Sequence, residues 1–262
     1  MSVLCLIQAR AGSSRLPGKI FAEIGGQPML SRVVTRAQAA QLVDEVAIAT
    51  TTSPADDLVA ELASKLAVTI HRGSELDVLD RFYQAIQAHP DADLIVRITA
   101  DCPFIDPAVI DTVIRAQQEN GSDFTANRLP PPYSRAYPVG LDVEVVTRQA
   151  LERTWTEARS GYHREHVLPY IYENPESFAI KVIDLDEDLS AYRWTVDTPE
   201  DLEMARTLCT FAAPSSMRWQ DILEVVRAHP EISKINANSI QKSVDVVDQR
   251  WKVDRQELEE QS

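Results

Sequence analysis

Short apolar runs alternate with amphipathic segments through the first 120 residues, and that alternation leaves the chain few folds to choose from. Residues 3–7, 45–50, 67–71 and 94–99 read as strands, and residues 28–40, 55–66, 75–88 and 107–118 as helices. The first strand, Val3-Leu4-Cys5-Leu6-Ile7, is apolar at every position, as in a strand buried on both faces. Helical spacing puts Leu30, Val33, Val34 and Ala37 on one face behind Pro28, and Leu58, Val59 and Leu62 inward behind a Ser53 cap. Strand followed by helix, repeated, predicts an α/β fold: a mostly parallel central sheet with helices on both faces.

After residue 120 the alternation changes. Asn120-Gly121-Ser122 reads as a turn. Residues 124–127, 142–147, 178–185 and 192–196 read as strands, and 148–158, 163–173, 199–211 and 219–228 as helices. Three consecutive prolines, Pro130 to Pro132, keep 129–137 from regular structure. From about residue 231 the chain turns polar.

The first strand runs into Gln8-Ala-Arg-Ala-Gly-Ser-Ser-Arg-Leu-Pro-Gly-Lys19. Glycines let backbone N–H groups approach an anion, serines add donors, and Arg10, Arg15 and Lys19 add positive charge. The chain as a whole carries a net charge of −14, so three cations in one loop need a local reason. The loop is no Walker A sequence: Pro17 stands where its second glycine belongs, and Ile20 where a Ser or Thr would bind magnesium. The dinucleotide fingerprint is missing too.

The same acidity argues against a nucleic-acid surface, which needs a basic face. Cys5, Cys102 and Cys209 are too far apart for a zinc pattern or a disulfide framework, which suits a reduced, cytoplasmic protein. No apolar run reaches the length of a membrane span, so no membrane insertion is expected.

In an open parallel sheet, ligands gather at the carboxyl ends of the strands. Thr99-Ala-Asp101-Cys-Pro follows the fourth strand, and Asp197-Thr-Pro-Glu-Asp201 follows residues 192–196. A polyphosphate brings Mg²⁺, which takes one or two carboxylates and keeps several waters. Asp101 and Asp197 are the candidate ligands. Asp106 and Asp201, next to helix starts, read as caps.

Three segments together resemble a known family: Ala9-Arg10 with Gly12-Ser13 and Arg15-Leu-Pro-Gly-Lys19; Arg97-x-Thr99-x-Asp101-Cys-Pro; and Trp194-Thr-Val-Asp197-Thr-Pro-Glu-Asp-Leu202. They look like the cytidylyltransferases of sugar-acid activation, nearest the spore coat polysaccharide SpsF group and more distantly the CMP-Kdo and CMP-sialic acid synthetases. The resemblance implies a GT-A-like nucleotide-diphospho-sugar transferase fold, CTP as donor, Mg²⁺, a small-molecule acceptor and, by analogy, a homodimer. It assigns residues 1–213 to the catalytic domain and 214–262 to a C-terminal helical extension and polar tail. Ala9, Arg10, Gly12, Ser13, Arg15, Lys19 and Thr99 match nucleotide-binding positions, Asp77 and Arg81 the base and ribose side, and Asp101 and Asp197 the metal. Arg15, Lys19 and Asp101 are the catalytic candidates. For Arg81 a solvated helix face is an equal alternative.

The acceptor side is expected around Gly140, Arg164, Glu165 and His166. A guanidinium forks onto a carboxylate or phosphate, and a histidine takes a proton. Arg164 and Glu165 pairing with other residues is the competing expectation. Two other functions stay open: a glycosyltransferase on the same fold, and a non-catalytic binding protein of a polysaccharide pathway. The usual Asp-x-Asp of the former is replaced by Asp101-Cys102-Pro103 at the fourth-strand end.

Overall fold

The computed structural model describes residues 1–211, 217–239, 248, 250 and 251. In chain order the elements are β1 (Ser2–Gln8), β2 (Glu23–Ile24), β3 (Gln27–Pro28), α1 (Met29–Gln38), β4 (Glu45–Thr51), α2 (Asp57–Lys65), β5 (Thr69–Gly73), α3 (Val78–Gln87), β6 (Ala92–Thr99) and α4 (Pro107–Asn120). There follow β7 (Phe124–Ala126), β8 (Glu144–Thr147), α5 (Arg148–Glu157), α6 (Gly161–His166), α7 (Pro169–Tyr172), β9 (Ile180–Val182), α8 (Pro199–Leu208), α9 (Trp219–Ala228) and α10 (Pro230–Ile235).

Seven strands form one sheet in the order β5-β4-β1-β6-β8-β7-β9, and β2 and β3 make a separate hairpin. β1 runs parallel to β4 and β6, β4 to β5, and β7 to β9, while β8 is inserted antiparallel between β6 and β7. The chain winds outward from β1 through β4 to β5, then returns to β6 on the other side of β1. That reversal opens a crevice at the carboxyl ends of β1 and β6, where Gln8 and Thr99 are paired.

The double apolarity of β1 is used as its sequence demands. Val3, Cys5 and Ile7 join one apolar cluster with Leu30 and Val33 of α1 and Ile110 of α4. Leu4 and Leu6 join a second with Phe82 of α3 and Leu151 of α5. Each face of the sheet is therefore covered, as the sequence predicts for a strand of this kind. Ile222 and Leu223 of α9 and Ile232 of α10 belong to the first cluster. The expected domain boundary at residue 213 lies outside the described residues.

Where the structure departs from the sequence reading, local chemistry gives the reason. Residues 192–196 are extended but form no strand. Their bonds are split between two neighbours: Val139 forms a single bridge, its N–H donating to the Tyr192 carbonyl at 2.9 Å and its carbonyl accepting from Trp194 N–H at 2.8 Å, while Val196 N–H donates to the Asp101 carbonyl at 2.8 Å. The helix expected over 163–173 is two helices, broken where Val167 takes a φ of 76° just before Pro169. The strand expected over 178–185 shortens to β9. Leu58 is 54% exposed, because α2 turns Val59 and Ala63 inward instead. The polar stretch after 230 begins with α10, whose Ile232 is buried.

Gly140 is where the fold depends on having no side chain. Its φ is 102°, and a Cβ there would lie 2.6 Å from Thr195 N and 2.8 Å from the Trp194 carbonyl carbon. Residues 139 and 140 thus press backbone to backbone on the extended segment that ends at Asp197. Gly140→Ala is expected to cost about 1–3 kcal/mol in backbone strain alone, lowering the melting temperature by roughly 2–12 °C. A thermal unfolding curve that overlays the wild type would refute this packing.

Candidate active site

The loop after β1 is held open by its neighbours. Ala11 N–H donates to Asp56 Oδ1 at 2.6 Å, and Gly18 N–H to the Ala11 carbonyl at 3.1 Å. Asp56, buried in the short turn after β4, also accepts from the Thr51 hydroxyl. Gly18 sits at φ 69° and starts a single 3₁₀ turn, Lys19–Phe21, that aims the lysine inward. The left-handed region suits glycine and strains any other residue.

The cleft beneath this loop has a volume of about 240 Å³. Arg10, Gly12, Ser13, Arg15, Lys19, Thr99, Asp101 and Asp197 all line it. Three segments far apart in sequence therefore meet at one point.

Lys19 is that point. Its ammonium donates to Asp101 Oδ2 at 2.9 Å, Asp197 Oδ1 at 2.8 Å and the Val196 carbonyl at 2.9 Å. Burial alone would lower its pKa, but the charges of Asp101 and Asp197 outweigh burial and hold it above its ordinary value. Burial would likewise raise Asp101. Lys19, together with the Thr99 hydroxyl 2.6 Å from Asp101 Oδ1, brings that carboxyl well below its usual range. Both groups are thus charged at neutral pH.

Asp197 has further cationic neighbours: Arg15 at 3.1 Å and Arg193 at 2.9 Å. Arg193 also pairs with the fully buried Asp201 at 2.9 Å. Asp201 does cap α8, in a reciprocal box with Thr198, and Asp106 caps α4 by accepting from Ala108 N–H. Sequence reading finds the caps. It misses Asp56 and Arg193, which orient the loop and Asp197, because their partners are fixed only by folding.

The residues expected beside base and acceptor lie elsewhere. Ala9 is buried behind the loop. Arg81 is buried too, not on a solvated helix face: its guanidinium donates to the Ser74 carbonyl at 2.9 Å. Asp77 caps α3 and holds Arg164 in a fork, with N–O distances of 2.6 to 3.0 Å. The Arg164 guanidinium is therefore committed to a carboxylate of its own chain. Glu165 accepts from Asp248 N–H at 2.8 Å, and His166 packs beside the Tyr162 ring. None of these, nor Gly140, lines the Lys19 cleft. The pairing alternative holds for Arg164.

A basic, glycine-bearing loop facing two carboxylates at the mouth of an open α/β sheet is the arrangement of a nucleotidyltransferase. A sequence model of the family described as cytidylyltransferase matches residues 4–228. The chain belongs to the cytidylyltransferase family. It is 35% identical to the spore coat polysaccharide biosynthesis protein SpsF of Bacillus subtilis, over 79% of this chain and 85% of that protein. It is 29% identical to the 3-deoxy-manno-octulosonate cytidylyltransferase of Anaeromyxobacter sp. (strain Fw109-5), over 79% of this chain and 96% of that one. Among solved structures, a cytidylyltransferase from Leptospira borgpetersenii aligns with a TM-score of 0.84 and 33% identity, covering 93% of this chain and all of that one, 100%. Among the described residues no helix is long and apolar enough to cross a membrane.

Proposed function

We propose that the protein transfers CMP from CTP to a sugar acid or related acceptor for surface glycan synthesis. The acceptor hydroxyl oxygen attacks the α-phosphorus in line. The bond from that phosphorus to the bridging oxygen breaks, pyrophosphate leaves with the electron pair, and the hydroxyl proton passes to solvent water. The observation that carries this reading is the Lys19 ammonium, held between Asp101 and Asp197 under the basic loop.

Such chemistry is mostly positioning and charge stabilisation. Arg10, Arg15, Ser13 and Gly12 receive the triphosphate. Arg15 and Lys19 neutralise charge on the leaving pyrophosphate. The donor set also fits Mg²⁺. Two hard carboxylates converge, and among the described residues no third acid, histidine or cysteine joins them in a closed cage. Mg²⁺ prefers that economy, taking its other ligands from phosphates and water. Asp101 and Asp197 would hold it, and it would polarise the phosphate oxygens.

All three cysteines are free, which suits the cytoplasm, where we place the enzyme. A homodimer is expected by analogy with the family.

The test is pyrophosphate release from each of the four nucleoside triphosphates, with and without Mg²⁺, against sugar acids, sugar phosphates and phosphonates. Release with CTP and one acceptor class, abolished by EDTA, is the expected result. Transfer from a nucleotide sugar instead would make the protein a glycosyltransferase, and absence of any nucleotide binding would make it a non-catalytic partner.

A further inference from the structure

A separate cavity of about 440 Å³ is lined by Arg128, Arg135 and Arg193, with Ser190, Ser233 and Asn236 on its wall. Arg193 joins it to the active site, because the same guanidinium bonds Asp197. The register of the sheet explains why these arginines are here. β8 pairs its Glu144 with Arg97 of β6 on one side and with Ala126 of β7 on the other. Continuing both antiparallel registers by two residues sets Thr99 and Arg128 on either side of Asp142. Bonds continue the row: Asn127 N–H donates to the Val143 carbonyl at 3.3 Å, and Arg128 to Asp142 Oδ1 at 3.3 Å. With strands about 4.8 Å apart, Arg128 stands roughly 10 Å from Thr99 along the carboxyl edge of the sheet. That is the span of a small sugar reaching toward Asp101.

Charge in this cavity is unbalanced. Arg193 is matched by Asp197 and Asp201. Among the described residues Arg128 and Arg135 face one carboxylate, Asp142, which also accepts from Gly140 N–H at 2.9 Å. The Arg128 side chain is only 8% exposed. Among the described residues, the buried Nε atoms of both Arg128 and Arg135 have no hydrogen-bond partner. A buried donor left without an acceptor is costly, and native proteins keep few of them. Burial, and then the neighbouring charge of Arg128, lower the Arg135 guanidinium pKa, so a second anion would relieve the pair.

We infer that this cavity is the subsite for the acceptor's oxyanion, a sugar carboxylate or phosphate gripped by Arg128 and Arg135. That the anion belongs to an acceptor rests on the cytidylyltransferase reading; the anion site itself rests on the two arginines. The role expected of Arg164 passes to this pair, because Asp77 occupies Arg164.

The test titrates the full chain, saturated with α,β-methylene-CTP to fill the β1 loop, with 3-deoxy-manno-octulosonate and, separately, with ribose 5-phosphate, by calorimetry. At least one anion is expected to bind, and which one binds names the source of the oxyanion. Arg135→Gln, a change on a partly exposed loop side chain, should weaken it about 10–100-fold and leave α,β-methylene-CTP affinity within about twofold, since no nucleotide contact is removed. Arg128→Gln combined with Asp142→Asn gives a second variant that removes the Arg128–Asp142 pair as a unit, and the same loss is expected. Wild-type protein that takes up neither anion at tens of millimolar overturns the inference, as do variants that bind like the wild type. If α,β-methylene-CTP fails to bind while anion binding still depends on Arg135, the nucleotide reading falls and the oxyanion site stands.

Discussion

Lys19→Ala is expected to cut turnover by at least about 10²–10³-fold, the loss seen when one preorganised charge-stabilising donor is removed from a reacting centre. Lys19 is the one lysine of the loop, and its ammonium reaches both carboxylates that the reading assigns to metal. If it acts on charge that develops as pyrophosphate departs, kcat should fall further than KM for CTP rises. The chain should stay folded, because Asp197 keeps Arg15 and Arg193 as partners. Asp101 loses its lysine, and that gives a second readout. In the wild type its carboxyl is depressed below 3.8, so its contribution to stability is complete above that pH and is lost as pH falls through the lowered value. In the variant the carboxyl moves back up toward its unfolded value, so this acid-sensitive stabilisation is gone and the stability gap from the wild type should narrow as pH falls. Pyrophosphate release and acid unfolding curves measure the two effects. Turnover near the wild-type level would end the assignment of Lys19 to the chemistry.

Sequence reveals most where cause is local. The apolar run of β1, the helix starts at Pro107 and Pro199 with capping by Asp106 and Asp201, and the basic loop all depend on neighbouring residues, and all are found where the sequence puts them. Residues 192–196 show the limit. Their apolar character is real, since Trp194 and Val196 are buried. Strand formation, however, needs a partner offering a ladder, and Val139 offers one isolated bridge and Asp101 one backbone bond. Long-range pairing is illegible for the same reason. Nothing around Asp56 announces that it will hold Ala11, 45 residues away, and nothing around Asp77 announces Arg164, 87 residues on. Arg128 and Arg135 lie among prolines and polar residues that read only as irregular chain. Their meaning comes from the β6-β8-β7 register, which places Arg128 two strands from Thr99.

Asp201→Ala carries the largest expected loss of stability. The residue reads as a helix cap, and it is one, but capping is the smaller part of what it does. Its carboxylate is fully buried. It accepts from Arg193 Nε at 2.9 Å, Asn236 Nδ2 at 2.9 Å and the backbone N–H groups of Asp197 at 2.9 Å and Thr198 at 3.1 Å. A lost cap costs about 1 kcal/mol, whereas removing one partner of a buried ion pair costs about 3–5 kcal/mol because the other charge is left behind. Here that charge is Arg193, whose side chain is only 10% exposed and which keeps Asp197 alone as its carboxylate partner among the described residues. The melting temperature should fall by roughly 6–20 °C. Burial would raise the Asp201 pKa, but the hydrogen bonds from Arg193 and Asn236 outweigh it and bring the carboxyl below 3.8. Its stabilisation is therefore present at neutral pH and disappears as pH falls through the lowered value, so the gap between wild type and variant should narrow in acid. Because Asp201 also holds the Asp197 backbone, the variant should lose turnover even at temperatures where it is fully folded. A cap alone would give a drop of a few degrees, independent of Arg193. A double-mutant cycle with Arg193→Met separates the two accounts: coupling of about 2 kcal/mol or more supports the buried pair, and additive losses would reduce Asp201 to its cap.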